Sequence, residues 1–113
     1  IIMIETADGL ANVEKIAALE GVDALFVGPV DLSFSITGGL AGLKSPEFST
    51  ALEKVVSAAN AANIPAGIFS LNPQNAAQNL NNGFQFTNVG ADTSLLTAAV
   101  AGAHEQLKTA LVK

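Results

Sequence analysis

Four times along the chain a short apolar run gives way to a longer stretch with helical periodicity. Ile1 to Ile4 is uninterrupted apolar sequence, which predicts a parallel strand buried on both faces. Leu10, Val13, Ile16 and Ala17 then recur at helical spacing, and Gly21 supplies a stop. The second run, Ala24 to Val27, ends at Gly28-Pro29, and a glycine-rich stretch from Thr37 to Gly42 leads on to Ser45-Pro46-Glu47. That triplet predicts a helix start: a serine cap, proline at the first helical position and an acid in the first turn. Phe48, Leu52, Val55, Val56 and Ala59 form the apolar face behind it. The third unit has a strand over Ala66 to Phe69, an Asn72-Pro73 start, a short amide-rich helix with Ala76, Ala77 and Leu80 inward, and a stop at Gly83. The fourth has a strand over Phe84 to Val89 and Asp92 as the cap of a long helix. Leu96, Val100, Ala103, Leu107 and Leu111 line one face of that helix.

The order βαβαβαβα runs without any shift in composition, so residues 1–113 read as one folding unit with a parallel sheet and crossover helices. Two α/β architectures accommodate this: an open doubly wound sheet, or half of a (β/α)8 TIM barrel. Four units in 113 residues average about 28 each, and eight would approach the ~250 residues typical of the barrel. Chain termini usually lie at the surface, whereas this chain opens inside an apolar strand without an initiator methionine. The half-barrel is therefore favoured, and the chain reads as a fragment or partial domain.

Composition narrows the function classes. Ten acidic residues face five lysines and no arginine, for a formal net charge of −5. Phosphate neutralisation needs a basic patch, so no nucleic-acid partner is expected. An anionic metabolite remains compatible if a bound cation supplies the positive charge. Zero cysteines exclude disulfides, thiolate zinc and a cysteine nucleophile. Mean hydropathy is +0.44, yet every apolar run is interrupted well short of the ~18 residues of a membrane span. With no basic n-region or cleavage site, the expectation is a soluble, cytoplasmic protein without a membrane partner.

Ligands of both architectures gather at the carboxyl ends of the strands. Four places qualify: Glu5-Thr6, Gly28-Pro29-Val30-Asp31, Ser70-Leu71-Asn72 and Gly90-Ala91-Asp92. Glu5 and Asp31 each follow an apolar strand, and those strands are consecutive, so about 4.8 Å separates them if they pair. Two carboxylates converging there repel unless a cation bridges them or one is protonated. A hard divalent ion such as Mg²⁺ suits such a pair. The competing reading makes Glu5 a solvated strand-end acid and Asp31 the cap of a short helical turn. Glycine at 28 permits close backbone approach, and the amides of Val30 to Ser33 form a nest or helix start able to accept a carboxylate. Asp92 and Asn72 are explained as caps, and Ser33 and Ser70 have no histidine nearby to activate them. His104 lies ~18 Å down the last helix from Asp92, too far from the strand ends for a general base. Phe34 and the stretch Gly38 to Gly42 read either as a mobile flap over the site or as a plain surface loop.

Ile4-Glu5-Thr6 followed by Gly21-Val22-Asp23-Ala24-Leu25-Phe26-Val27-Gly28-Pro29-Val30-Asp31-Leu32-Ser33 resembles the HpcH/HpaI aldolase family. Pro65 to Phe69, Asn82-Gly83-Phe84 and Val89-Gly90-Ala91-Asp92 continue the likeness in order across nearly the whole chain. The resemblance implies a TIM barrel of which this chain is the C-terminal half. It implies a class II aldolase or lyase that cleaves 2-keto-3-deoxy acids to pyruvate and an aldehyde. It also implies Glu5 and Asp31 as ligands of a divalent metal, Mg²⁺ first and Mn²⁺ or Co²⁺ as alternatives. Gly28, Pro29, Val30 and Asp31 would hold the pyruvyl end, and Ala91 would border the same pocket. The metal would polarise the keto group and stabilise the enolate.

The family's enolate-stabilising arginine and its histidine–aspartate pair belong to the N-terminal half. No residue of this chain is therefore expected to act as acid or base, and the isolated chain is expected to be inactive. Lys44-Ser45-Pro46 also stands where the family usually has His-Pro, which bears on aldehyde specificity. The family's hexamer, with its last helix packed on a neighbouring subunit, implies a homo-oligomer. The alternative is a non-catalytic half-barrel that binds ligand or pairs with a complementary N-terminal half, because a half-barrel exposes apolar surface and unpaired strand edges.

Overall fold

A computed structural model of the chain describes residues 1–111. Its strands are β1 (Ile2–Ile4), β2 (Leu25–Val27), β3 (Ala66–Ile68) and β4 (Phe86–Thr87). They form one all-parallel sheet in the order β1-β2-β3-β4. The register aligns Ile4, Val27 and Ile68 in one row and Met3, Phe26, Gly67 and Phe86 in the next. Side chains alternate across a sheet, so these rows belong to opposite faces.

The two faces differ sharply. Ile4, Leu25, Val27 and Ile68 are buried and share one core with Leu32, Phe48 and Val55 from the helices. On the other face Met3 is 54% exposed. Phe26 and Phe86 pack ring to ring there, with centroids 5.7 Å apart. They meet over Gly67, where any side chain would overlap both rings. A doubly wound sheet reverses its strand order and carries helices on both faces. An unreversed order with the helical core on a single face is the wall of a partial (β/α) barrel, and the Met3–Phe86 row is its inner lining.

The helices are α1 (Ala7–Ala11), α2 (Val13–Ala17), α3 (Pro29–Thr37), α4 (Pro46–Ala61), α5 (Pro73–Asn81) and α6 (Asp92–Leu111), with a 3₁₀ turn at Leu40–Lys44. Ser45 Oγ accepts from the Phe48 amide and Asn72 Oδ1 from the Asn75 amide, as the Ser-Pro and Asn-Pro signals predict. Thr6 caps α1 in the same way, through the Gly9 amide, so the first helix begins directly at the end of β1 rather than near Leu10. Asn12 divides that helix in two and binds Asp8 O through its own amide group.

Four further elements depart from the expectation, the first being α5, which buries Ala76 and Asn79 and leaves Ala77 and Leu80 exposed. The fourth strand shortens from Phe84–Val89 to Phe86–Thr87: before it Gln85 bonds Ala66 through both its backbone N–H and its side chain, and after it the Asn88 side chain bonds the Ser70 backbone beyond β3. Asp92 is the first residue of α6 rather than the residue before it; its carboxylate accepts from Thr93 N, while Ala91 O accepts the first helical bond from Leu95. The stretch after Gly38 is no free flap. Gly39 O accepts from Ser33 Oγ at 2.7 Å, and Gly38 ends α3 in a left-handed conformation (φ 81°) suited to glycine. Helix α6 has no buried residue, and Leu96, Val100, Leu107 and Leu111 all face outward. The Cα radius of gyration is 17.7 Å, against about 13 Å for a compact chain of this length.

Candidate functional site

Parallel pairing brings the carboxyl ends of all four strands to one edge of the sheet. Glu5 follows β1 in the alternation of the inner face, half-buried at its rim. Its carboxylate lies against Gly28, the residue that follows β2. A Cβ at position 28 would stand 2.9 Å from Glu5 Oε2, 3.2 Å from Glu5 Cβ and 3.6 Å from Met3 Sδ. Gly28 has φ −90° and ψ 91°, a conformation open to other residues. Glycine is needed here for space: the missing side chain leaves the cradle that the Glu5 carboxylate occupies.

Pro29 opens α3 at once, as its fixed φ and missing N–H favour. Asp31 therefore does not follow the strand directly. It lies in the first turn of α3, exposed, one helical turn beyond the strand end. Thr6, Ser45 and Asn72 cap their helices with side chains, but α3 starts on Gly28 and has no side-chain cap. The first-turn amides of Val30 and Asp31 thus lack intrahelical acceptors, and a helix N-terminus with free donors favours an anion. The Ala7 amide donates to Ser35 Oγ at 2.8 Å, tying the start of α1 to α3 across the same two strand ends.

Among the described residues the ion pairs are Lys54–Glu14 and Lys108–Glu105, so no lysine neutralises Glu5 or Asp31. No group of three or more acidic, histidine or cysteine side chains assembles among them either. The donor set offered by this chain is two hard carboxylates at adjacent strand exits. Such a pair fits a divalent cation that takes its remaining ligands from water and substrate oxygens. The glycine cradle under Glu5 fits that role as well, since it lets the carboxylate lie close to the turn that carries Asp31.

Gly28 lies against Glu5 and opens the turn that runs through Pro29 and Val30 to Asp31, whereas Ala91 stands apart, beyond β4 and two strands from β2. The serines are structural. Ser33 is buried and bonded to Gly39 O, and Ser70 is buried between Thr87 and Asn79. His104 is exposed on α6. A cleft of about 600 Å³ opens between the 3₁₀ turn, α4, β3 and α5; it reaches Pro29 and Val30 but neither Glu5 nor Asp31.

The residues that sequence reasoning missed lie at the other two strand exits. Asn88 accepts from the Ser70 amide at 2.7 Å and donates to Ser70 O at 2.8 Å and Gly90 O at 3.0 Å. Below it, Ser70 Oγ lies 2.7 Å from Thr87 Oγ1 and accepts from Asn79 Nδ2, while Thr87 also donates to Ile68 O. The signal was present as the polar pair Thr87-Asn88 between Phe86 and Val89. Its partner Ser70 is 17 or 18 positions away, and only the β3–β4 pairing brings it near.

The family model of HpcH/HpaI aldolase/citrate lyase matches residues 1–99. A hydroxypyruvate/pyruvate aldolase of Paraburkholderia phytofirmans is 42% identical over 109 residues, covering 96% of this chain and 42% of that protein. A 5-keto-4-deoxy-D-glucarate aldolase of Escherichia coli is 35% identical over 99 residues, covering 88% and 38%. Among solved structures, an HpcH/HpaI aldolase/citrate lyase family protein from Burkholderia cenocepacia superposes with a TM-score of 0.84. It is 37% identical, over 94% of this chain and 41% of its own. The chain therefore spans about two fifths of the length of the curated relatives it matches. The fold is accordingly a partial barrel of the TIM type.

Proposed function

The chain belongs to the HpcH/HpaI aldolase/citrate lyase family, and from that membership we propose that it supplies the C-terminal half of a divalent-metal-dependent class II aldolase acting on 2-keto acids. The observation that carries the proposal is the Glu5 carboxylate cradled on Gly28, beside an uncapped helix start that bears Asp31. Glu5 and Asp31 hold the cation, with Mg²⁺ as the first candidate and Mn²⁺ or Co²⁺ as alternatives. Gly28 and Pro29 wall the pyruvyl end, and the amides of Val30 and Asp31 receive its carboxylate. Ala91 borders the pocket from the β4 side. When bound, the cation polarises the keto oxygen and stabilises the enolate charge that retro-aldol cleavage leaves behind.

No group at the four strand exits is placed as an acid or base for the aldehyde oxygen. That proton transfer belongs to residues outside this chain, so we expect the 113 residues alone to cleave 2-keto acids far more slowly than a complete barrel. The partner that completes the site is either a complementary half or a further stretch of the same protein, and it would cover Met3, Phe26 and Phe86. The outward leucines of α6 favour assembly into a homo-oligomer. Among the described residues no helix is long and apolar enough to cross a membrane, which accords with a cytoplasmic setting.

Titration with Mn²⁺, followed by its electron paramagnetic resonance signal, tests the assignment. Glu5→Gln and Asp31→Asn are each expected to weaken binding at least ~100-fold, more than the 10–100-fold typical of losing a group that only supports a ligand. Affinity equal to the parent in both variants would remove the metal site.

A further inference from the structure

We propose that Asn88 is a positioning residue that sets the wall facing the aldehyde, and so decides which aldehydes the site accepts; this rests on the aldolase reading above. Strand β4 ends at Thr87, yet its pairing with β3 does not end there. The Asn88 carboxamide takes over the ladder, satisfying both the N–H and the C=O of Ser70, and its second amide hydrogen holds Gly90 O. One side chain thereby ties the exit of β3 to the exit of β4 through two hydrogen bonds, and a third fixes its own segment at Gly90. Gly90 has φ 143°, a region that side chains disfavour, and a Cβ placed on it would lie 3.5 Å from Leu71 O. A side chain at position 90 would therefore meet the exit of β3, to which Asn88 is already hydrogen-bonded.

Beneath them nothing is free to give. Ser70 is fully buried, its hydroxyl is shared between Thr87 and Asn79, and no buried side-chain polar atom lacks a partner among the described residues. The segments held in this way carry Leu71, which is 56% exposed, and Ala91. Strands β3 and β4 lie one and two spacings from β2, about 5 and 10 Å from the Gly28–Asp31 turn. That is where the part of a substrate beyond its keto-acid head must lie. Leu71 and Ala91 carry no acid or base, so they select by shape and do not take part in the chemistry. In the addition direction C3 of pyruvate loses a proton and bonds to the aldehyde carbon, and the aldehyde oxygen gains a proton. Only the aldehyde half of that reaction meets Leu71 and Ala91.

The test uses the complete enzyme that contains this chain, loaded with Mn²⁺, in two variants. Asn88→Ala removes the clamp. Asn88→Asp keeps the shape and the bond from Ser70 N, but sets a carboxylate against Ser70 O and Gly90 O. Exchange of pyruvate C3 protons in D₂O reports the metal and keto-acid end, and it is expected to stay within twofold of the parent in Asn88→Asp. The ratio of kcat/KM for hexanal to that for acetaldehyde is expected to rise at least ~5-fold in both variants, mostly through KM, equivalent to about 1 kcal/mol of discrimination. An unchanged ratio with exchange intact would overturn the role of Asn88 alone. Absence of exchange in the parent enzyme would overturn the aldolase reading, and this inference with it.

Discussion

The strand exits of this protein fall into two pairs that solve the same problem with opposite chemistry. At β1 and β2 the side chains are carboxylates without a lysine partner, and the backbone amides of the α3 start are left open. At β3 and β4 the buried side chains are neutral amides and hydroxyls whose polar atoms are all engaged, and the exposed Asp92 carboxylate beyond them accepts from Thr93 N of its own helix. A site proposed to take up a cation and an anion keeps donors and acceptors in reserve. A wall that must stay in place spends its own hydrogen bonds on itself. On the proposed function, unmade bonds mark the half that binds and completed bonds the half that supports it.

The sharpest way to break this contrast is Gly28→Ala. The added methyl would stand 2.9 Å from Glu5 Oε2 and displace the carboxylate. Mn²⁺ affinity is expected to fall about 10- to 100-fold, with little change in thermal midpoint; a lowered midpoint and unchanged affinity would show that Gly28 serves packing instead. Thr87→Val probes the opposite pair. It leaves Ile68 O and the Ser70 hydroxyl short of a partner inside the fold. Denaturant unfolding is expected to lose about 1.5 kcal/mol, while Mn²⁺ affinity stays at the parent value. Should Thr87→Val weaken the metal site as strongly as Gly28→Ala does, the two pairs would not be separable.

Smaller effects calibrate the comparison away from the site. Ser45→Ala removes the cap of α4 and is expected to cost about 1 kcal/mol in the same unfolding experiment. Lys54→Ala opens the 3.6 Å pair with Glu14, both side chains being well exposed. A change below about 0.5 kcal/mol is expected there, and a larger one would point to packing of the lysine stem on α2.

Much of this was legible in one dimension. Runs such as Ala24 to Val27, recurring between helical stretches, pointed to a parallel sheet, and Ser45-Pro46 and Asn72-Pro73 start helices by local hydrogen bonding that needs no distant partner. Glu5 was visible because a charge directly after an apolar strand has few other places to lie, whereas Asp31 is carried one turn further by the helix that Pro29 opens. Less visible was the nine-residue α3, whose Ser33, Ser35 and Thr37 obscure its period until Ser33 and Thr37 are seen bonding to Gly39 O. The last helix was legible as a helix, but not its lack of neighbours: periodicity reports an apolar face and says nothing of what covers it.

The sequence by itself determined the order of elements, the helix starts, the choice of a parallel sheet and the strand exits that carry carboxylates. All of these follow from contacts within a few residues, or from hydrophobic period alone. Tertiary structure alone decided that the sheet runs without reversal and has one open face. It also decided that Gly28 is glycine to make room for Glu5, and that Asn88 clamps Ser70 across 18 positions. Each of these is a contact between strands, and its partner is named by register, which no local pattern encodes.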